Sequence, residues 1–234
     1  MSDPSLIELP QLPDGQRAGV FFDLEKTFCA DAVEQVAATA MWRRGDLRHR
    51  DIARVLWCYI RYNLGLIARF EELKAEGATV FRGRDPQQDE ATYAALFRDT
   101  LRARVHTEAE AIARQAVDRG YFLAFISSTY HFMVAPFAEA YGFDASFGCH
   151  LAVEDGRCTG TLEGPIYHQE QKAVCVRELV DAHGLDLQHS WAFGDSINDA
   201  PMLASVGHPD AVNPSTKLRR RAEADGWTVV SWHV

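Results

Sequence analysis

The segment Phe21-Phe22-Asp23-Leu24-Glu25-Lys26-Thr27 sets two carboxylates two residues apart behind an apolar run. A carboxylate can attack phosphorus to form an aspartyl-phosphate, dividing one difficult hydrolysis into two steps. A second carboxylate close by can protonate the leaving group and then activate water. Acidic residues after a strand also serve as caps and turn formers, so the pair alone leaves both readings open. In Gly194-Asp195-Ser196-Ile197-Asn198-Asp199, two more acids stand four residues apart. Hard oxygen ligands on one side suit magnesium, which takes a few carboxylates with water and phosphate oxygens. Asp195 or Ser196 equally suits the cap of a helix running through Leu203. Ser127 is a phosphate hydrogen-bond donor or a plain N-cap, and Lys172 is a neutraliser of phosphate charge or an exposed helix lysine.

These residues need elements to deliver them. Ala18 to Asp23 reads as a buried strand ending in its acid, and Tyr121 to Ile126 as a second strand ending at Ser127-Ser128-Thr129. Trp191 to Phe193 is a short strand leading into Gly194-Asp195; Ala211-Val212 and Trp227 to Ser231 close the set, with a basic helix at 217–222 between them. Helices are expected over Thr107 to Arg119, after Ser127-Ser128-Thr129 through Ala140 to a stop at Gly142, and over Gln171 to His183, and a hairpin over Phe147 to Leu162 turned at Asp155-Gly156. Alternating strands and helices imply a mostly parallel, doubly wound α/β sheet, in which ligands bind beyond the carboxyl ends of the strands. Asp23, Ser127 and Asp195 would converge on that edge.

Between Asp31 and Val105 the pattern is helical throughout. Ala32, Val33, Val36, Ala37, Ala40 and Met41 share one helical spacing, and Ile52, Val55, Leu56, Tyr59 and Ile60 a second. Leu66, Ile67, Phe70 and Leu73 share a third, and Tyr93, Ala94, Leu96, Phe97 and Leu101 a fourth. Gly45, Gly65, Gly77 and the stretch 82–86 punctuate them. The expected organisation is a core of 17–30 plus 106–234, an inserted helical cap of 31–105 and an irregular leader of 1–16.

The chain has 234 residues, 47% hydrophobic and 24% charged, which is ordinary for a globular protein. Its formal net charge of −9 argues against a general nucleic-acid or membrane-surface binder. Residues 31–105 hold 13 Lys and Arg against 11 Asp and Glu, so the insert is the less acidic part and could ease the approach of an anion. Five widely spaced cysteines with no CxxC pair, and no apolar signal segment, point to free thiols and a cytoplasmic location. The apolar stretch 56–70 is broken by Arg61, Asn63 and Arg69, so no membrane insertion is expected.

Four motifs in order, at Asp23-Leu24-Glu25-Lys26-Thr27, Ser127-Ser128-Thr129, Lys172 and Gly194 to Asp199, give the chain its resemblance to the haloacid-dehalogenase superfamily, in its phosphoserine-phosphatase-like branch. The resemblance runs from about Arg17 to the C-terminus and implies a Rossmann-like core with a helical cap. It implies a magnesium-dependent phosphatase acting on a small phosphorylated metabolite, with Asp23 as nucleophile and Glu25 as acid and base. Asp23, Asp195, Asp199 and the main-chain carbonyl of Glu25 would hold Mg2+. Ser127 and Lys172, with the backbone N–H groups of Leu24 and Ser128, would hold the phosphoryl group, and Thr27 would support the first loop. A phosphotransferase with the same intermediate, and a binder of phosphorylated ligands with impaired turnover, are the alternatives.

One departure stands out. The family pattern has Asp where this chain has Glu25, longer by one C–C bond of roughly 1.5 Å. On sequence alone, Glu25→Asp is expected to retain or raise turnover. In the insert, Arg43, Arg44, Arg48, Arg50, Arg54 and His49 make a basic stretch expected on a solvated helix face, with a meeting of an anionic leaving group as its alternative. His131, just after the second motif, is expected on a helix surface, with a place facing the leaving group as the alternative. Trp42, Trp57 and Tyr59 are expected in the core of the cap, with a platform for the substrate as the alternative.

Overall fold

The computed structural model describes residues 7–64, 66 and 69–234. Among these residues, seven strands form one sheet in the order β4-β3-β2-β1-β5-β6-β7. They are β1 (Gly19–Phe22), β2 (Phe122–Tyr130), β3 (Ala145–Glu154), β4 (Arg157–Glu163), β5 (Trp191–Gly194), β6 (His208–Val212) and β7 (Thr228–Val230). All neighbours pair in parallel except β3 and β4, the hairpin turned at Asp155-Gly156. This is the α/β sheet that the alternation of strands and helices predicts.

Period-two alternation of apolar side chains divides the core between the two faces of the sheet. Val20, Phe22, Leu123, Phe125, Phe193 and Val212 belong to one buried cluster. Phe21, Phe122, Ala124, Ile126, Ala192 and Ala211 belong to the other. Helices α5 (Thr107–Asp118) and α6 (His131–Tyr141) cover the first face, while α7 (Glu170–His183), α8 (Ala200–Leu203) and α9 (Thr216–Asp225) cover the second. Helix α6 stops where Gly142 takes the left-handed conformation at φ 72°, a region that costs a residue with a Cβ.

Among the described residues, four α-helices lie between β1 and α5: α1 (Val33–Arg43), α2 (His49–Asn63), α3 (Phe70–Ala78) and α4 (Pro86–Asp99). Asp85 starts α4 by accepting from the N–H groups of Gln87 and Gln88, with Pro86 at the first helical position. Val33, Ala37, Ala78, Phe81, Tyr93 and Phe97 belong to the same buried cluster as Phe22 and Phe125, so the helices share a core with the sheet.

Several expectations are corrected. Strand β2 does not end at Ser127 but runs on to Tyr130, because an irregularity after Ile126 lets Tyr130 pair with Cys149 of β3. Helix α3 starts at Phe70, which leaves Leu66 in a bend outside it, while Gly65 and Ile67 lie outside the described residues. Trp42, Trp57 and Tyr59 are 46%, 59% and 48% exposed rather than buried, because α2 and the end of α1 carry more apolar surface than their neighbours cover. Of the leader, residues 7–16 contain no helix or strand, yet Leu9 is fully buried and bonded through its N–H to Gln115; residues 1–6 lie outside the described set. All five cysteines are free and buried. Among the described residues, no helix is long and apolar enough to cross a membrane.

Candidate active site

Strand β1 delivers Asp23 at its carboxyl end. The Asp23 N–H donates to the carbonyl of Phe193 on β5, continuing the parallel pairing one residue past the strand. The chain then turns: Leu24 O accepts from the N–H groups of Phe28 and Cys29, and Lys26 adopts a left-handed φ of 59°. Thr27 is fully buried in this loop, and the ring of His106 bonds its carbonyl at 2.8 Å.

From the other side, β5 ends at Gly194 and the next residues form a capped turn. Ser196 accepts from the Asn198 N–H, and Asp199 Oδ2 accepts from the Ser196 N–H at 2.9 Å, which is a capping box. Asp199 therefore fills the capping role and faces the site as well. A Cβ at Gly194 would stand 2.5 Å from the Asp199 Cβ, so only glycine lets this carboxylate lie against the end of β5.

Lys172, in the first turn of α7, joins the two motifs. Its Nζ donates to Asp23 Oδ1 at 2.6 Å and to Asp199 Oδ1 at 2.5 Å, and only 3% of the residue is exposed. It is therefore not an exposed helix lysine. Asp23, Asp195 and Asp199 can place one carboxylate oxygen each within 4.8 Å of one another. Ser127 is buried beside them with its Oγ accepting from the Thr129 N–H, and Ser127 and Ser128 line the same cavity as Asp23 and Lys172.

Three carboxylates around one ammonium leave a negative excess. Burial, with the neighbouring charges of Asp23 and Asp199, pushes Asp195 up to about 8. Burial also raises Asp23; Lys172 opposes this and Asp199 adds to it. Burial on its own would lower Lys172, but Asp199 and Asp23 override it and raise the ammonium above its ordinary value. A hard divalent cation fits this donor set, because it supplies the positive charge that the carboxylates lack.

Glu25 occupies a defined place. Its Oε1 accepts from the main-chain N–H of Glu34 at 2.8 Å, in the first turn of α1. The longer side chain thus reaches a helix N-terminus, where a carboxylate is favoured. Burial raises its carboxyl, and the charge of Glu34 raises it further. The Glu34 carboxylate is in turn bonded to Lys74 of α3, whose Nζ lies 4.4 Å from the centre of the Tyr130 ring. Nothing in the sequence marks Glu34 and Lys74, because each has the setting of a helix-surface charge; Lys74 is only 6% exposed.

The cavity above Asp23 has a volume of about 720 Å³ and is bounded by the sheet edge and by α1, α2 and α3. None of Arg43, Arg44, Arg48, Arg50 and Arg54 lines it, as expected of a solvated helix face. His49 lies outside it and accepts from the Trp42 indole N–H. His131 is half-buried and stacked on His150, away from the cavity. His168, which the sequence did not single out, lines the cavity and stacks on Phe70 at 3.9 Å.

A parallel α/β sheet with three acids and a buried lysine at its carboxyl edge defines a hydrolase-type centre built on loops after β1 and β5. The profile of the haloacid dehalogenase-like hydrolases matches residues 20–204, and the chain belongs to that family. The chain is 30% identical over 220 residues to a Streptomyces azureus protein named for inhibition of morphological differentiation, covering 93% of this chain and 79% of that one. It is 29% identical over 229 residues to a probable phosphatase of Mycobacterium tuberculosis, covering 95% and 79%. A Bordetella pertussis protein of unknown function superposes with a TM-score of 0.83 at 30% identity, covering 92% of this chain and 98% of that chain. A phospho-aspartyl intermediate analogue of phosphoserine phosphatase shares the fold, with a TM-score of 0.67 at 21% identity over 92% of this chain and 93% of that chain.

Proposed function

We propose that this hydrolase is a magnesium-dependent phosphatase that cleaves a phosphate monoester through an aspartyl-phosphate on Asp23. The observation that carries this reading is the Lys172 ammonium held between Asp23 Oδ1 and Asp199 Oδ1, with Asp195 beside them. That arrangement leaves a carboxylate at a strand end with a fixed cation next to it, where a phosphoryl group would sit.

In the first step an Asp23 oxygen forms a bond to phosphorus and the bond from phosphorus to the ester oxygen breaks. Glu25 gives its proton to the departing alkoxide. In the second step Glu25 takes a proton from water, the water oxygen bonds to phosphorus, and the Asp23–phosphorus bond breaks. Ser127 Oγ and the N–H groups of Leu24 and Ser128 donate to the phosphoryl oxygens, and Lys172 offsets the charge that develops on them. Thr27 holds the loop that carries Asp23 and Glu25. Asp23, Asp195 and the Glu25 main-chain carbonyl would hold Mg2+, with Asp199 completing the acidic set. When bound, the ion neutralises charge on the carboxylates and the phosphoryl group. The helical insert 31–105 acts as a cap on the core formed by 17–30 and 106–234. The bond from Glu25 to the Glu34 N–H supports hydrolysis over impaired turnover, because it gives the longer carboxylate a fixed position at the junction of cap and core.

Phosphate release from a panel of esters, with and without Mg2+, tests the reading. The parent should release phosphate only with the metal, and Asp23→Asn should abolish release. Unchanged release by Asp23→Asn would exclude the mechanism.

A further inference from the structure

The cavity is much larger than a phosphate group requires. At about 720 Å³ it falls within the range of about 300–1,000 Å³ that takes drug-sized ligands. Its polar floor is the site just described. Its walls in the helical insert carry an aliphatic stretch of Met41, Leu47, Ile52, Val55, Leu73 and Val80, beside aromatic rings such as Tyr59, Phe81 and Tyr93 and the polar Gln35 and Thr39. A zwitterionic amino-acid leaving group would need one counter-charge for its carboxylate and another for its ammonium, since an unpaired buried charge is costly. Among the described residues no arginine lines the cavity. Lys74 is bonded to Glu34, and Asp51 lies against Arg50 and Arg54. The charges in the insert's wall are therefore compensated within the protein, and Lys26, the other lysine lining the cavity besides Lys74 and Lys172, is exposed on the loop after β1 and acts on Asp195.

The mouth of the cavity points the same way. Leu56 lines the cavity and is still 55% exposed, which puts it at the opening. Positions 52, 55 and 58 of α2 face inward, and Leu56, Trp57 and Ile60, with Leu64 just beyond, stand exposed on the adjoining arc of the helix. The apolar wall thus continues through Leu56 from the cavity on to the surface.

We propose that the substrate is an amphiphilic phosphate monoester whose leaving alcohol carries an aliphatic chain. The phosphate sits at Asp23, and the chain lies along Ile52, Val55 and Leu73 and leaves past Leu56. This rests on the phosphatase reading above. Each methylene moved from water into the cavity is worth up to about fourfold in kcat/KM, as apolar burial predicts.

The test uses the full chain with Mg2+ and a series of n-alkyl phosphates from ethyl to octyl, all below their micellar concentrations. O-phosphoserine and p-nitrophenyl phosphate run beside them, and the matching alkyl phosphonates are titrated by calorimetry. The kcat/KM should rise at least tenfold from ethyl to octyl and leave O-phosphoserine below the longer esters. Ile52→Asn and Leu73→Asn, measured separately, should flatten that slope. Cleavage of p-nitrophenyl phosphate with no dependence on alkyl length, or a preference for O-phosphoserine, would overturn the proposal and leave the phosphatase reading standing. If no ester is cleaved, the phosphatase reading fails, and the phosphonates decide the cavity: affinity rising with chain length sustains it, while a flat series or no binding overturns it. Faster turnover of a lysophosphatidate in detergent micelles than of dissolved octyl phosphate would identify a lipid source for the chain, and the reverse order a dissolved amphiphile.

Discussion

Replacing Glu25 separates its position from its acidity. Glu25→Gln keeps the side-chain length, so its amide oxygen still accepts from the Glu34 N–H that now lies 2.8 Å from Oε1. What it loses is the proton, and loss of a general acid or base typically costs about 10²–10⁴ in rate. Glu25→Asp keeps the proton but withdraws the carboxylate by roughly 1.5 Å, which breaks that hydrogen bond. A hydrogen bond to a charged group contributes about 1.5–3 kcal/mol, and a chain of this size loses roughly 2–4 °C of midpoint per kcal/mol. The Glu34 bond therefore reverses the expectation drawn from the family pattern: Glu25→Asp should be slower than the parent, by up to about a hundredfold, and less stable. The assay is steady-state turnover of an alkyl ester and of p-nitrophenyl phosphate, with a rapid-mixing trace for the latter. Because p-nitrophenolate leaves without a proton, the Gln variant should show one enzyme equivalent of product at once and then a slow phase limited by hydrolysis of the aspartyl-phosphate. Parental turnover of an alkyl ester by Glu25→Gln would refute the acid–base role. Turnover by Glu25→Asp at or above the parental rate would refute the part given to the Glu34 anchor.

Other expectations follow from single sites. Gly194→Ala should lower turnover sharply without touching substrate, because its Cβ must displace Asp199 from 2.5 Å; a kcat within twofold of the parent would contradict the tight approach. Asp195→Asn should raise the thermal midpoint of the metal-free protein by removing one of three crowded carboxylates, and should abolish the rise that Mg2+ gives the parent, both read by calorimetric scans. Asp210 is 1% exposed on β6, one of its oxygens has no partner, and burial pushes it from 3.8 up to about 7. The folded state therefore keeps a proton that the unfolded chain releases, so this group's share of stability is full below about pH 4 and is lost as the pH rises through about 7. Asp210→Asn should then gain on the parent across that window, by at most about 4 kcal/mol above it at about 1.4 kcal/mol per pH unit; urea unfolding at acid and alkaline ends checks the sign.

Asp23, Asp195 and Asp199 were legible because chemistry and backbone grammar coincide there, whereas Lys172, in the first turn of a helix, is marked only by the resemblance to the family. Each acid follows a short apolar strand, and parallel pairing of β1 with β5 brings those strand ends together whatever the intervening chain does. Glu34 and Lys74 were not legible, since nothing local distinguishes them from solvated helix charges and their partners lie 40 residues apart. The extension of β2 through Ser127-Ser128-Thr129 is set by pairing with β3, which polar residues do not announce. The exposure of Trp57 and Tyr59 has a similar origin. Spacing reveals that α2 has an apolar face, but the width left uncovered depends on which helices pack against it.

Acid quenching of the enzyme during turnover, followed by borohydride reduction and peptide mass mapping, examines the phosphoryl transfer itself. Reduction should convert Asp23 alone to homoserine, in an amount that grows when Glu25 is replaced by Gln. Modification of another carboxylate, or of none while phosphate is being released, would contradict the assignment of Asp23 as the nucleophile.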